Sequence, residues 1–365
     1  MRDNYLKIAV LPGDGIGIEM MEAAMAVLDT LNKMGGEVEL AFTHYPAGAR
    51  HYIDTGIALP DSTLAACREA DAILFGAMGW PDVRFPDGTE VIPQLDLRIE
   101  LDLYAGVRPV RWFPGGLQVL KDERSKLIDF VLIREQTEGL FYARGRGESE
   151  NDEVCYDRMK ISRQATSRVS EFAFKLAALR NKNSQPMVTC VDKANVISSM
   201  AFFRKIFTET ASQHRQVSYD YAYVDAMALK MLKRPWDLDV LVTENMFGDI
   251  LSDLAAGLIG GMGMAPSGDI GDKHALFQPA HGTAPDIAGQ GLANPCAMIL
   301  SAAMMLRWLA DKYDLPFLEK QGRMIDSAVE KTLADGRFIP VEYGGRAGTQ
   351  EMTSAIISYL TQNGD

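Results

Sequence analysis

Apolar residues along this 365-residue chain recur in two alternating rhythms. Short runs that are apolar almost throughout read as strands buried on both faces, and longer stretches with apolar positions every three or four residues read as helices. KIAVLP is the first strand, GDGIG a turn, and IEMMEAAMAVLDTLNKM a helix ending at Gly35–Gly36. EVELAFTHY is strand-like, DSTLAACREA is a helix that Asp61 or Ser62 can cap, and AILFGA is a short buried strand. LIDFVLI, PMVTCV, DYAYV and DVLVTE predict further strands, separated by helical patterns such as SRVSEFAFKLAALRNK and SSMAFFRKIFTET. The last 70 residues are mostly helical. Strand and helix in alternation predict an α/β fold with a largely buried sheet.

A chain of this length exceeds one ordinary core, so two domains or one large α/β unit is expected. No repeat and no low-complexity linker divides it, so a second domain is expected as an insertion in the first. RGRGESENDEVCYDR (144–158) is the most polar stretch and reads as a protruding arm.

Composition narrows the function. With 47% hydrophobic and 24% charged residues, the chain is an ordinary soluble globular protein. A net charge of −12 opposes nucleic-acid or anionic-membrane partners. An anionic substrate requires Arg and Lys gathered locally against that background. Cys67, Cys155, Cys190 and Cys296 are scattered without a CxxC, which predicts buried free thiols in a reducing compartment. The N-terminal stretch lacks a basic segment followed by an apolar one, and AMILSAAMMLRWLA is interrupted by Arg307 and too short to span a bilayer. A cytoplasmic protein is expected.

Several strings carry chemistry. LPGDGIGIE resembles a dinucleotide fingerprint at Gly13 and Gly15 but has Ile18 where the third glycine belongs, so a tight strand-to-helix turn accounts for it equally well. In VTENMFGDILSDLAAGLIGG, Asp249 and Asp253 stand four apart on a helix, with both carboxylates on one face. Paired acids usually mark a solvated stripe. Here their neighbours are Ile250, Leu251, Leu254 and Ala255, so a compensating cation is needed, and Mg²⁺ or Mn²⁺ suits oxygen ligands. Asp225, at a strand end in YVDAMALK, is a plausible third carboxylate.

Arg98, Arg108 and Arg134 stand near element boundaries and offer forked recognition of carboxylates, though any one alone reads equally as a surface ion pair. Lys193 in VDKANV ends a strand, where burial and nearby positive charge would make it a base, whereas solvation would leave it an ordinary lysine. QPAHGTAPDIAGQGLANP is a glycine-rich loop carrying His281, Asp286 and Asn294; Asp286 can accept hydrogen bonds from a ribose diol and would repel a 2′-phosphate.

Together, LPGDGIG, LDLYAGVRP, REQTEG, VDKANV, YVDAMA, NMFGDILSDLAAGLIGGMGMAPS, HGTAPDIAGQGLANP and GGRAGTQEMT resemble the β-decarboxylating dehydrogenases, in order from residue 6 to beyond residue 350. That family includes 3-isopropylmalate, isocitrate, homoisocitrate, tartrate and D-malate dehydrogenases. The resemblance implies an α/β, isopropylmalate dehydrogenase-like two-domain fold, non-Rossmann, with an inserted dimerisation domain and β arm. Residues 1–103 and 260–365 would form the large NAD-binding domain. Residues 104–259 would form the substrate, metal and dimerisation domain, with the arm near 136–165.

It also implies roles. Arg98, Arg108 and Arg134 match the binders of the malate-like carboxylates, and Asp249 and Asp253 match the metal ligands. Asp225 matches a metal-site aspartate, and Lys193 a catalytic lysine, each given by the partner subunit of a homodimer with shared active sites. His281, Gly282, Thr283, Ala284, Asp286 and Asn294 match the cofactor loop. Asp286-Ile287 stands where NADP-dependent members resembling isocitrate dehydrogenase typically carry Lys-Tyr, which favours NAD. The implied reaction is metal-dependent oxidation of a small anionic 2-hydroxy acid at C2, followed by loss of CO₂ and protonation at C3. A regulatory subunit without catalysis and a non-oxidative decarboxylase are the rival classes; retention of all three Asp, Lys193 and all three Arg opposes the first.

The substrate pocket fits neither common pattern. Isopropylmalate enzymes usually carry leucines three and four residues before the first arginine and an acid seven before it; here these are Leu95, Gln94 and Val91. Isocitrate enzymes typically place Ser six and Asn four before it; here these are Ile92 and Gln94. A malate with a small or partly polar 3-substituent is expected, isopropylmalate included. In REQTEGLFY the family's general-acid tyrosine falls seven residues after Arg134, on Phe141, with Tyr142 one residue too far. Either a bulge brings Tyr142 into place, or Phe141 fills the position and another donor protonates the enolate.

Overall fold

The computed structural model describes residues 5–362. It divides into two compact units: one comprises the chain up to Leu101, Phe113–Leu117 and the chain from Gly260, and the other comprises Asp102–Trp112 and Gln118–Ile259.

The first unit opens with β1 (Tyr5–Leu11), α1 (Ile16–Met34), β2 (Glu39–His44), α2 (Ala49–Thr55), α3 (Asp61–Glu69), β3 (Ala72–Phe75) and α4 (Pro93–Glu100). The second unit carries β4 (Ala105–Arg111), β5 (Asp129–Glu135), β6 (Glu148–Glu150), β7 (Val154–Tyr156), α5 (Arg163–Arg180), β8 (Met187–Asp192), α6 (Ser198–Ala211), β9 (Ser218–Tyr223), α7 (Val224–Lys233), β10 (Val240–Thr243) and α8 (Asn245–Leu258). The chain then returns to the first unit with β11 (Pro266–Ile270), β12 (Ala275–Pro279), α9 (Cys296–Tyr313), α10 (Pro316–Ala334) and α11 (Thr349–Gln362).

In the first unit β1 lies between β2 and β3 and pairs parallel with both, β12 pairs parallel with β3, and β11 closes antiparallel on β12. In the second, β10 lies between β5 and β8, parallel to both; β9 is parallel to β8, and β4 is antiparallel to β5. The core strands are buried on both faces, as at β3 and β10, where all positions are buried. That burial explains why they read as continuous apolar runs rather than alternating ones. α9 is buried along nearly its whole length, including Met298, Ile299, Met305 and Leu306, although Arg307 follows. Among the described residues no helix is long and apolar enough to cross a membrane.

Several local expectations are corrected. α3 is capped by neither Asp61 nor Ser62: its N-cap is Pro60, no side chain caps it, and Asp61 is already helical. Cys67, Cys190 and Cys296 are buried free thiols, with burial pushing Cys67 and Cys296 up to about 12, but Cys155 is exposed on β7. The polar excursion is an antiparallel ribbon of β6 and β7, with Ser149 opposite Cys155.

The GDGIG turn is held by Asp14. This residue is 1% exposed and accepts from the backbone N–H groups of Ala49 (2.7 Å), Arg50 (2.9 Å) and Gly79 (3.0 Å). α2 has no capping side chain of its own, so Asp14 caps it from a distant part of the chain. Asp14→Ala leaves these donors without their acceptor and is expected to lower unfolding free energy by roughly 3 kcal/mol in urea titrations. Asp14→Asn, which keeps one acceptor oxygen, is expected to lose about half of that.

Candidate active site

In the second unit the site is built around the end of β5. Phe130, Val131, Leu132 and Ile133 are buried and fix the strand, which delivers Arg134 at 3% exposure. A buried guanidinium needs acceptors. Arg134 Nε donates to Asn245 Oδ1 at 2.9 Å, and Nη1 pairs with the Asp249 carboxylate. Both partners lie on α8, and Asn245 Nδ2 donates on to the Glu138 carbonyl at 2.9 Å. The helix can approach so closely only because residue 248 is glycine: a Cβ there would stand 2.6 Å from Arg134 Cγ.

Asp253 lies one turn beyond Asp249. Burial, then the Asp249 carboxylate, pushes its carboxyl above the ordinary aspartate value, while Arg108 and Arg134 act the other way. Arg108 is itself buried on β4, opposite Leu132 of β5. Lys193 follows β8, and its Nζ lies 2.6 Å from Asp225 Oδ1; the ammonium holds the Asp225 carboxyl below its ordinary value. Asp225 sits in the first turn of α7 rather than at the end of a strand. Below it, Arg204 binds the fully buried Asp192 through two contacts of 2.7 Å. Among the described residues no three His, Cys, Asp or Glu side chains gather so as to hold a metal ion. Asp249 and Asp253 share one face of α8, Asp249 paired with Arg134, and Asp225 is engaged with Lys193.

The segment after Arg134 is not a continuing strand. β5 stops at Glu135, whose buried carboxylate accepts from the Thr137 and Glu138 backbone N–H groups at 3.0 and 2.8 Å. Leu140–Ala143 is a single 3₁₀ turn. Strand alternation and a β-bulge therefore do not decide which aromatic faces the site. The Phe141 ring lies 5.2 Å from the Arg134 guanidinium carbon, whereas Tyr142 lies between Arg146 at 3.9 Å and Lys160 at 5.0 Å.

In the first unit α4 carries Gln94 and Arg98 one turn apart, with Leu95 between them half-buried. Arg98 Nε donates to Asp269 Oδ2 at 2.9 Å. Gln94 Nε2 donates to the Met78 carbonyl at 3.4 Å, and its Oε1 is buried without a partner. The glycine-rich loop follows β12 and packs on the GDGIG turn, where Ile16 N–H donates to the Thr283 carbonyl at 2.8 Å. A Cβ on Gly15, whose φ is +55°, would stand 2.2 Å from that carbonyl oxygen. The string that only half matched a dinucleotide fingerprint thus supports the loop.

His281 Nδ1 donates to the Gly282 carbonyl at 2.8 Å; its Nε2 is buried without a partner, and burial holds the ring below the usual histidine value. Gly282 and Asp286 are exposed, Thr283 is buried, and Ala284 takes a positive φ of 36°. Asn294 donates to Glu342 at 3.1 Å, and its Oδ1 accepts from Cys296 N–H at 3.2 Å at the start of α9. Sequence reasoning missed Asn245, Asp269, Asp14 and Glu342. Their only signal was polarity at positions that proved to be buried or bonded across the fold.

A profile of the family described as isocitrate/isopropylmalate dehydrogenase matches residues 7–356. The chain belongs to that family. A 3-isopropylmalate dehydrogenase of Methanothermobacter thermautotrophicus is 43% identical over 97% of this chain and 98% of its own. A 3-isopropylmalate/3-methylmalate dehydrogenase of Methanocaldococcus jannaschii is 41% identical over 96% and 97%. Among solved structures, isocitrate dehydrogenase from Methylococcus capsulatus superposes with a TM-score of 0.86 at 34% identity, covering 97% of this chain and 99% of that one. The apo β-decarboxylating dehydrogenase of Thermococcus kodakarensis gives 0.79 at 36%, over 98% and 96%. The family's two-domain α/β fold and its class, an oxidoreductase, are thereby those of this chain.

The charges on α8 make a prediction for the metal-free protein. Asp253, whose folded carboxyl is raised, contributes stability that is present at low pH and lost as pH rises through its folded value. Asp253→Asn is therefore expected to be neutral or stabilising by up to about 1 kcal/mol at neutral pH in chelator. Asp249→Ala, which strips buried Arg134 of a carboxylate, is expected to cost on the order of 1–3 kcal/mol in the same melts. Equal losses in both variants would contradict this assignment of charges.

Proposed function

We propose that the chain catalyses NAD-dependent, divalent-metal-dependent oxidative decarboxylation of a malate-type 2-hydroxy acid to a 2-oxo acid and CO₂. The observation that carries this reading is the pairing on one helix of a buried arginine's partner, Asp249, with a second carboxylate, Asp253, whose charge is resisted. Such a face suits an anion and a cation bound together. Asp249 and Asp253, with Asp225 of a second chain, would hold Mg²⁺ or Mn²⁺. Bound there, the cation would lower the pKa of the 2-hydroxyl and stabilise the negative charge that develops as CO₂ leaves.

The remaining work falls to the chain's own residues. Arg98, Arg108 and Arg134 would bind the substrate carboxylates through charge-assisted hydrogen bonds. Lys193, supplied like Asp225 by the second chain and oriented by that carboxylate, moves the proton of the 2-hydroxyl. The loop of His281, Gly282, Thr283, Ala284, Asp286 and Asn294 binds NAD: buried His281 Nε2 offers an acceptor without a partner, and exposed Asp286 suits a ribose diol and disfavours a 2′-phosphate. Phe141 carries no transferable proton, and the Tyr142 ring lies beside Arg146 and Lys160 rather than Arg134, so the reading assigns the final proton at C3 to another donor. Tyr142→Phe is expected to leave kcat within about threefold; a 10²–10⁴-fold loss would make Tyr142 the acid after all.

The relatives' names favour 3-isopropylmalate as substrate. A second reading is tartrate or D-malate; of the two, Gln94 favours tartrate, because its buried Oε1 lacks a donor and the C3 hydroxyl that tartrate has and malate lacks would supply one. NADH formation should appear with one of these acids and vanish in excess EDTA. A kcat/KM panel over isopropylmalate, D-malate, tartrate and isocitrate decides between them, and an isocitrate preference would refute the pocket reading. Absence of NADH with CO₂ still released would identify a non-oxidative decarboxylase.

A homodimer with shared sites is part of the proposal. Leu229 and Leu232 on α7 and Ile250 on α8 are each exposed over about half of their surface, on helices that pack together. Leu229→Asp combined with Leu232→Asp is expected to give a monomer by light scattering, with kcat reduced at least about 100-fold because no partner then supplies Lys193 and Asp225.

A further inference from the structure

We propose that Asp269 is a positioning residue for Arg98, fixing the guanidinium that takes a carboxylate of the substrate; this rests on the reading of Arg98 as a substrate-binding arginine. The Arg98 side chain is 7% exposed and that of Asp269 0%, and they meet at 2.9 Å across 171 residues of sequence. Arg98 lies in the last turn of α4, which is only eight residues long. A short helix with a long, rotamer-rich side chain at its end does not by itself hold a guanidinium in place.

Asp269 comes instead from the middle of the β11–β12 pair. The same Oδ2 that accepts from Arg98 also accepts from Gln278 Nε2 at 2.8 Å. Gln278 is anchored in turn: Ser301 Oγ on α9 donates to its carbonyl at 2.8 Å and accepts from Ser267 N–H of β11 at 3.1 Å. Orientation thus passes from α9 and two paired strands, through Gln278 and Asp269, to Arg98. Groups seated on strands hold a binding side chain more tightly than groups on loops do. Asp269 also neutralises a cation that would otherwise be buried alone, so Arg98 can wait in place before substrate arrives. With Nε committed to Asp269, the end-on Nη edge is what Arg98 can turn toward an incoming carboxylate.

The test is a double-mutant cycle in steady-state kinetics on the full-length enzyme with its hydroxy acid, NAD⁺ and metal. Asp269→Asn is expected to raise KM for the hydroxy acid roughly 10–100-fold, the equivalent of about one charge-assisted hydrogen bond, with kcat within about threefold and KM for NAD⁺ unchanged. In an Arg98→Ala background the same change should move KM by less than about twofold, because its route of action is gone. Gln278→Met, which removes only the donor to Asp269, should give a smaller selective rise of about 3–10-fold, and it carries the test if Asp269→Asn fails to fold. Equal effects of Asp269→Asn in both backgrounds, or a lowered Tm with KM unchanged, overturn the positioning role. Should Arg98→Ala itself leave KM unchanged, the substrate-binding reading of Arg98 falls and the proposal with it.

Discussion

The second unit depends on one buried guanidinium. A strand of apolar residues carries Arg134 to 3% exposure, and from that point the surroundings have little choice. Its charge requires acceptors, and α8 supplies two, Asn245 and Asp249. That helix must therefore lie against the end of β5, which excludes a side chain at position 248. Docking α8 there sets Asp249 beside Arg134 and puts Asp253 one turn further on the same face. The Asn245 amide extends the same network to the Glu138 carbonyl, and so to the turn that brings Phe141 against Arg134. An oriented arginine, two carboxylates on one helix face and an adjacent aromatic ring thus follow from satisfying a single buried cation.

The first unit solves a similar problem differently. Arg98 is paired with Asp269 on a strand rather than on the helix that presents it. Asp14 plays the converse part, a buried acid satisfied by backbone N–H groups from two other segments. In a chain with net charge −12, the overall field does not favour anions. Arginines removed from solvent interact more strongly and are screened less. Each such buried charge needs an internal partner, and that partner fixes the orientation of the guanidinium.

Much of this was legible in sequence because its physical signal is local. Continuous apolar runs gave the core strands, helical spacing gave α1, α5, α6 and α8, and a four-residue interval put Asp249 and Asp253 on one face. What stayed hidden was set by contacts between distant residues. Gly106 and Pro109 interrupt the β pattern of β4, yet pairing with β5 imposes a strand there. α4 begins at a proline and has a weak apolar stripe, and the β11–β12 pair contains Pro266, Gly268 and Asp269, so neither reads as its element. Asp225 stands only two residues past the end of a strand, and the sequence does not mark that the helix has already begun. Asp269 is separated from Arg98 by 171 residues, and nothing near either one announces the other.

In the REQTEGLFY stretch the local geometry differs from the extended strand that its sequence suggests. Counting residues from Arg134 reaches Phe141 without regard to conformation, but the argument that a one-residue slip reverses the side chain holds only in a strand. In a 3₁₀ turn successive side chains are separated by about 120° rather than 180°, so neighbouring aromatics diverge without either being turned away from the chain's own surface. What separates Phe141 from Tyr142 is their cations. Phe141 offers its ring to Arg134, whose guanidinium is already oriented by Asn245 and Asp249, while Tyr142 is held between Arg146 and Lys160. A phenyl ring at that position preserves the packing and the quadrupole that a guanidinium prefers, and gives up only the hydroxyl. Phenylalanine at position 141 thus supports Arg134 without supplying a proton, two duties that a tyrosine there would combine.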